Sequence, residues 1–181
     1  MNYYGGKEIA AAFRTVRKNT LTMADEIPES QYAFRASPDT RSVGQLLVHM
    51  AIGPSFQQHV HDNKFTDLKM VNFPELLQRL GVEEAKPRTK AEIIAFLTSE
   101  GEKFATYVEA LPDAFLAERV AMAPGMEPPT KSRFEMLLGP KEHEMHHRGQ
   151  LMVMQRMIGI VPHLTRQMQE RMARMQAQAP R

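Results

Sequence analysis

Apolar residues recur at intervals of three and four along most of the chain, which is the spacing of amphipathic α-helices. No stretch alternates apolar and polar residues for long enough to indicate a β-sheet. The pattern predicts long helices over about residues 7–25, 42–59, 89–110 and 132–158, and a short one over 74–80. We therefore expect an all-α fold, a four-helix bundle with one long crossover between its second and third helices.

Local signals place several of the helix ends. The residue before Pro28 disfavours the helical backbone, so the first helix should stop there. Thr89 and Glu92 have the spacing of a capping box, which opens the third long helix. Pro140 lies inside the last long helix, directly after a glycine, and predicts a bend at that point.

Beyond residue 162 the chain has one further amphipathic pattern. Its apolar stripe consists of Leu164, Met168, Met172 and Met175. We expect residues 1–161 to form the bundle domain and residues 162–181 to form a helical tail. Such a stripe would either pack across the bundle or mediate dimerisation.

Composition and charge narrow the possible functions. The chain has 181 residues, enough for one domain, and its 23 Lys and Arg against 21 Asp and Glu give a net charge of +2. No basic stripe marks the predicted bundle, so we expect no nucleic-acid partner. Because no long apolar run occurs, we expect no membrane span, no signal segment and a cytoplasmic location. Without cysteine, a transition metal would be held by His, Asp or Glu.

Two histidines lie in the middle of the last predicted helix. His143 and His147 are four residues apart, so both project from one helical face and can bind the same ion. That face is the core stripe, because apolar residues precede and follow the pair at steps of three and four. Buried imidazole nitrogens need partners, and either a metal ion or a buried carboxylate would supply them.

His49 is a third candidate, on the second predicted helix. It lies at the flank of that helix's apolar stripe, and by itself it would suit a hydrogen-bonded position at the rim. Gly53, one turn later, leaves the room that a metal site would need. Together, His49, His143 and His147 provide three nitrogens from two helices, the usual protein contribution to a catalytic zinc site.

The polar residues around this pair are expected to have lesser roles. Gln150 could orient a water or a ligand. Arg148 could contact an anion or form an interhelical ion pair, and we favour the ion pair. His146 lies about 100° around the helix and is interpreted as a bystander or a supporting group. Glu142 and Glu144 are expected to be solvated or to pair along the helix. The remaining histidines are expected at the surface: His59, His61 and His163.

Two of these motifs form a recognisable combination. The chain carries Ser42-Val-Gly-Gln-Leu-Leu-Val-His49 and, about ninety residues later, His143-x3-His147-Arg-Gly-Gln150. This combination resembles the DinB/YfiT-like superfamily over about residues 10–160. The resemblance implies a four-helix bundle of up-down-down-up topology and a divalent metal ion bound by His49, His143 and His147.

The resemblance also implies several activities, and the residues do not choose among them. They are thiol-dependent transfer, thiol-dependent isomerisation and metal-dependent hydrolysis, with a low-molecular-weight thiol as cosubstrate in the first two. Three neutral imidazoles leave a coordination position open to a small-molecule substrate and favour Zn²⁺ or Ni²⁺. We therefore expect a metal-dependent transferase or hydrolase, and the resemblance together with the spare amphipathic helix suggests a homodimer.

Two other interpretations stay open. In the first, the protein is a non-catalytic stress-response or protein-interaction module whose metal only stabilises the bundle, since methionine-rich faces bind partners adaptably. In the second, the tail lies on a membrane surface through Arg166, Arg171 and Arg174. The tail has several glutamines and no aromatic residue, so we expect no membrane partner.

Overall fold

The computed structural model describes residues 4–178, and its elements are predominantly helical. Within that range the α-helices are α1 (Gly6–Glu26), α2 (Val43–Ile52), α3 (Pro54–Asp62), α4 (Phe73–Ala85), α5 (Lys90–Glu109), α6 (Asp113–Ala117), α7 (Arg133–Met157) and α8 (His163–Ala177). Single 3₁₀ turns cover Glu29–Gln31 and Leu68–Met70. Across the same range, no helix is both long enough and apolar enough to cross a membrane.

The core is built by α1, α2, α5 and α7. α1 packs along α5 and α7, and α2 packs against the same two helices. One apolar cluster joins α2 to the ends of α1 and α7, and a second surrounds Phe13 and Phe104 at the other end of α1. A third cluster lies beneath the crossover between α3 and α5. The predicted helical fold is confirmed.

The prediction of no β-structure was wrong for one short segment. β1 (Arg119–Ala121) and β2 (Thr130–Ser132) pair as antiparallel strands between α6 and α7. Strands of three residues are too short for an alternating pattern to be visible in the sequence. The hairpin leads directly into α7, whose first turn is fixed by a capping box between Ser132 and Glu135.

The helix predicted over residues 42–59 is instead two helices that meet at Gly53 and Pro54. Proline has no N–H, so Pro54 cannot donate to the carbonyl oxygen four residues earlier, which belongs to Met50. That oxygen accepts a hydrogen bond from Arg17 Nη2 at 3.0 Å. A side chain of α1 therefore satisfies the backbone at the break.

Arg17 belongs to a buried ion pair in the middle of the fold. Its Nη2 lies 2.9 Å from Glu144 Oε2, and the two side chains are only 4% and 1% exposed. Arg17 Nη1 also donates to the carbonyl oxygen of Leu97 at 2.5 Å. Gly101 leaves the space, since a Cβ there would lie 2.9 Å from Arg17 Cγ. The arginine thus connects α1, α2, α5 and α7, and the prediction of a solvated or helix-pairing Glu144 was wrong.

One other helix differs from the prediction. The short helix expected over residues 74–80 extends over Phe73–Ala85, more than one turn beyond its predicted end. α7 continues as one helix through the buried Pro140, and the bend predicted there stays a prediction. The longer α4 matters for the candidate site, because Glu84 in its last turn contacts His49.

Two histidines that were expected at the surface are buried. His61 is 1% exposed and its Nδ1 lies 3.1 Å from Arg133 Nη1. His163 is 4% exposed, and its Nε2 lies 3.2 Å from Asn19 Oδ1 on α1. Both predictions were wrong because polar flanks in the sequence do not reveal which distant element covers a side chain.

The first turn of α8 is attached to α1, whereas its apolar stripe is not covered. Arg166 forms an ion pair with Glu26, beside the contact of His163 with Asn19. Met168, Met172 and Met175 are 58%, 47% and 58% exposed. The stripe therefore does not pack across the described part of the chain.

Candidate metal centre

Three imidazoles meet where α2 faces the middle of α7. His143 Nε2 lies 3.1 Å from His49 Nε2 and 3.1 Å from His147 Nε2. One ring nitrogen of each residue lies within 4.8 Å of those of the other two, close enough for one metal ion to contact all three. The structure thus brings together the three histidines that the sequence singles out.

Gly53 leaves space for the ring of His143. A Cβ on Gly53 would lie 2.8 Å from His143 Nδ1 and 3.0 Å from its Cε1, closer than packed atoms approach. Glycine at the junction of α2 and α3 therefore lets the imidazole of α7 reach the centre. The sequence-based interpretation of Gly53 as a source of room is supported by this contact.

Hydrogen bonds hold two of the rings by their other nitrogen. His49 Nδ1 lies 3.0 Å from Glu84 Oε2, and His147 Nδ1 lies 2.9 Å from Gln150 Oε1. Both partners present oxygen acceptors, so each Nδ1 donates its proton and each Nε2 keeps a lone pair for the centre. Such contacts fix ring orientation in metal sites. Gln150 thus lies at the site, as its position near the ligand face indicated, and it contacts the ring of His147.

Glu84 was missed by the sequence analysis. It lies in the last turn of α4, where no helix was predicted, and its other oxygen accepts a 2.5 Å bond from Arg41 Nε. Burial works to raise the pKa of Glu84, but the bonds from Arg41 and His49 outweigh it and lower the pKa overall. The carboxylate is therefore charged at neutral pH. No periodic signal could have found it, because it belongs to the crossover rather than to a core stripe.

The three imidazoles are neutral at neutral pH. The pKa of His143 is lowered to about 4, mainly by burial and to a smaller extent by the nearby His147 and His49. Burial also lowers the pKa of His49 and of His147, against the opposing effect of their bonds to Glu84 and Gln150. Neutral imidazole is the form that coordinates metal ions.

The donor set fits a metal ion. His49 and His147 both direct an Nε2 lone pair at His143 Nε2, which can donate a proton to one of them at most. At least one pair of nitrogens therefore faces each other with lone pairs only. A divalent cation would accept all three lone pairs, and imidazole nitrogen suits zinc, nickel and copper.

Two cavities open onto the centre from different sides. One has a volume of about 470 Å³ and reaches His49 and His143, and the other, of about 730 Å³, reaches His147 and Gln150. The ion pair of Arg41 and Glu84 lines both cavities. The centre is therefore accessible to small molecules.

The other polar residues of this segment take different positions. Glu142 and His146 are exposed, and His146 Nε2 lies 3.2 Å from Gln150 Nε2, consistent with a bystander or supporting role. Arg148 contacts the carbonyl oxygen of Val16 at 3.5 Å and forms no ion pair with another helix among residues 4–178, so the favoured prediction of an interhelical ion pair was wrong. His59, expected at the surface, is partly exposed and contacts Asn63 in the next turn.

Comparison with known proteins shows the family of the chain. The sequence profile of the DinB superfamily matches residues 12–151, and the chain belongs to this superfamily. Its fold is similar to that of a DinB-like protein from Bacillus subtilis, with a TM-score of 0.62 and 20% sequence identity over 84% of this chain and 92% of that chain. No curated protein matches the sequence.

Proposed function

We propose that His49, His143 and His147 bind one divalent transition metal ion, Zn²⁺ or Ni²⁺, and that the protein is a metal-dependent enzyme. The observation that carries this proposal is the convergence of three neutral imidazoles on one point. Membership of the DinB superfamily favours the same conclusion. For the reaction we propose thiol-dependent transfer, with a low-molecular-weight thiol as cosubstrate, or hydrolysis.

The proposed architecture is a DinB-type four-helix bundle of up-down-down-up topology, formed by α1, α2, α5 and α7. The mutual packing of these helices supports it. In such a bundle the ligands come from two of the helices, here α2 and α7. The Arg17–Glu144 pair joins α1 to α7 one residue away from His143, and Arg17 also donates to the carbonyl oxygen of Met50 on α2. We further propose that the exposed apolar stripe of α8 joins two copies of the chain as a homodimer.

The chain's own residues would prepare the site for chemistry. Glu84 and Gln150 hold His49 and His147 in the tautomer that directs Nε2 inward. Arg41 keeps Glu84 charged and in place. A bound ion would supply a Lewis acid whose charge is not neutralised by any of these three nitrogen ligands. The two cavities would bring substrates to it.

Metal content is the decisive first measurement. Protein purified without a histidine tag should contain about one divalent ion per chain by elemental mass spectrometry, and His147→Ala should lose it. His146→Ala is the matched control, because His146 is a neighbouring exposed histidine outside the cluster. A wild-type protein that neither contains metal nor takes it up on reconstitution would refute the proposal. A metal site without thiol-transfer or hydrolytic activity would refute only the catalytic part.

A second candidate is a non-catalytic interaction module in which the metal only stabilises the fold. The exposed methionines of α8 favour it, since flexible apolar side chains adapt to different partners. This alternative predicts that chelation lowers the melting temperature by many degrees while no small thiol or substrate binds near the metal. Calorimetry with and without chelator, paired with a thiol-binding assay, separates the two functions.

A further inference from the structure

The smaller of the two cavities has an apolar character that suits a particular class of ligand. It lies between α3, α4 and α7, and it ends at His49 and His143. Its apolar walls are formed by Ile52, Phe56, Leu77, Leu80 and Pro140. We call it the apolar cleft. Its volume of about 470 Å³ falls in the range of small-molecule sites, roughly 300–1,000 Å³.

One polar side chain that lines the apolar cleft carries an acceptor without a partner. Gln57 lines the cleft, and its Oε1 is buried and accepts no hydrogen bond from the described residues. A buried acceptor without a donor is unfavourable, and such groups mark places where a ligand or water completes the bonding. The charged side chains of the cleft, Arg41 and Glu84, are already paired with each other. The unmet requirement is therefore for a single hydrogen-bond donor.

The outer wall of the apolar cleft is an exposed apolar surface. Leu76 is the buried anchor of α4, whereas Leu77 of the same helix lines the cleft and is 62% exposed. A ligand in the cleft would cover part of this surface and gain the corresponding hydrophobic free energy. Gly81, one turn later, also lines the cleft. A Cβ at this position would have no atom within 4 Å, so there is free space beside it.

Among the described residues, the larger cavity has no comparable feature that specifies a ligand. Its two arginines are engaged, since Arg35 donates to the carbonyl oxygen of Thr40 and Arg41 pairs with Glu84. It therefore offers no unpaired cation for an anionic substrate. The apolar cleft is the side of the centre on which the structure specifies a ligand.

We infer that the apolar cleft binds the substrate of the proposed metal site, and that this substrate is an uncharged, largely apolar small molecule. It carries an N–H or O–H group that donates to Gln57 Oε1, and its reacting group lies at His49 and His143. The inference rests on the proposed function, because the reacting group is placed by the metal ion that those histidines would hold.

A series of straight-chain hydroxamates tests the apolar character of the cleft, because every member has the same metal-binding head. Acetohydroxamate, butyrohydroxamate, hexanohydroxamate and octanohydroxamate are titrated into the Co²⁺-loaded full chain, and binding is followed by the visible spectrum of the ion. Affinity should rise by up to about fourfold per added CH₂ until the cleft is filled.

Two helical glycines provide a matched pair of variants for this series. Gly81→Leu fills the cleft from open space and should abolish the gain with chain length, while acetohydroxamate binds as in the wild type. Gly149→Leu is the control, since Gly149 also has no atom near its Cβ position and lies outside both cavities. It should leave the whole series unchanged.

The ω-hydroxylated members of the series test the role of Gln57. At the chain length that reaches Gln57 Oε1, the hydroxyl group should raise affinity over the plain chain. Gln57→Leu should remove that gain, and Gln58→Leu, a change in a residue that lines a different cavity, should keep it. Equal gains in both variants would contradict the assignment of Gln57.

The outcomes distinguish the two proposals. If Co²⁺ binds and acetohydroxamate changes its spectrum, but affinity does not depend on chain length or on Gly81→Leu, the inference about the apolar cleft is wrong and the metal site stands. If the wild-type chain binds none of Co²⁺, Zn²⁺ and Ni²⁺, both the metal site and the substrate inference are wrong.

Discussion

Arg17–Glu144 and Arg41–Glu84 are the same pair of residue types in two different surroundings. The first lies in the core, with both side chains at most 4% exposed, and the second lies between the two cavities, with side chains 43% and 20% exposed. Arg17 also bonds to two backbone carbonyls of other helices. Glu84 instead uses its second oxygen on a candidate metal ligand.

The difference shows how surroundings decide what an ion pair does. In the core, removal of one partner leaves a charge that water cannot reach, so the pair determines how helices pack. At the cavities, water screens the pair and its contribution to stability is small. Its effect falls on His49, whose orientation it sets. One pair therefore serves architecture and the other serves the site.

The largest expected effect comes from breaking the core pair. Arg17→Met leaves Glu144 charged and buried, and it removes the donor from Met50 and Leu97. The free energy of unfolding, measured by chemical denaturation, should fall by about 3–5 kcal/mol. Arg14→Met is the control, since Arg14 pairs with carboxylates at the surface, and it should cost no more than ~1 kcal/mol.

Addition of Glu144→Leu to Arg17→Met sharpens this test. The second change removes the stranded carboxylate and should recover part of the lost stability. Recovery should be incomplete, because two carbonyl oxygens still lack their donor. Arg17→Met as mild as Arg14→Met would refute the architectural role of the core pair.

The next effect concerns the site rather than the core. Gly53→Ala places a methyl group against His143 and should push that ring out of the cluster. Metal affinity, measured by competition with a chelator, should fall by roughly 100-fold, the upper end for changes that disturb ligand orientation. Gly149→Ala adds the same group in open space and should leave affinity unchanged. Equal affinities in the two variants would contradict this account of Gly53.

Another arginine, Arg133, is buried, and its Nη1 contacts a neutral partner, His61, instead of a carboxylate. Burial, with Arg133 nearby, lowers the pKa of His61 from 6.5 to about 4. The unfolded chain therefore takes up a proton at this residue at higher pH than the folded chain, and stability should fall as pH drops from about 6.5 to about 4. The loss amounts to about 3 kcal/mol at most.

Stability measured across that pH range in His61→Gln checks this expectation. The variant should lose stability less steeply with falling pH than the wild type. The difference in slope should correspond to nearly one fewer proton taken up on unfolding. His59→Gln, a change at a partly exposed histidine two residues away, should keep the wild-type slope. Identical slopes for all three proteins would show that His61 is not held neutral.

The smallest expected effect comes from the cavity pair. Glu84→Gln keeps an oxygen acceptor for His49 Nδ1, but it removes the negative charge that makes the His49 imidazole a more basic ligand. Metal affinity should weaken about tenfold, while the free energy of unfolding stays within ~1 kcal/mol of the wild type. Glu83→Gln changes the neighbouring carboxylate, which pairs with Lys86 and Arg88, and should leave metal affinity unchanged.

The candidate site could be predicted where its chemistry is local. His143 and His147 share a helical face by their spacing, and the apolar residues around them mark that face as inward. His49 required more, because it is 94 positions from His143. Its place at the flank of an apolar stripe made it a candidate, and the resemblance to a known family supported the connection. The long helices followed in the same way from periodicity, which depends on neighbours three and four residues apart.

What could not be predicted depends on contacts between distant elements. Glu84 reaches His49 only because α4 continues to residue 85 and lies against α2. The burial of Glu144 was not recognised from the sequence, because its partner is on α1. Arg17 did carry a signal, because it shares the inward face of α1 with Phe13 and Thr20. A lone charge on an apolar stripe indicates a buried partner, although not its identity.

The break between α2 and α3 has a consequence for the history of the family. Pro54 has no N–H to donate to the carbonyl oxygen of Met50, and Arg17 donates to that oxygen instead. Arg17 thus offsets the cost of the proline, and the proline leaves an acceptor for the buried Arg17. A lineage that replaced Pro54 would restore a backbone donor for that oxygen, and Arg17 would no longer be needed to satisfy it. Positions 17 and 54 should therefore vary together among relatives, a correlation between helices that do not adjoin in the chain.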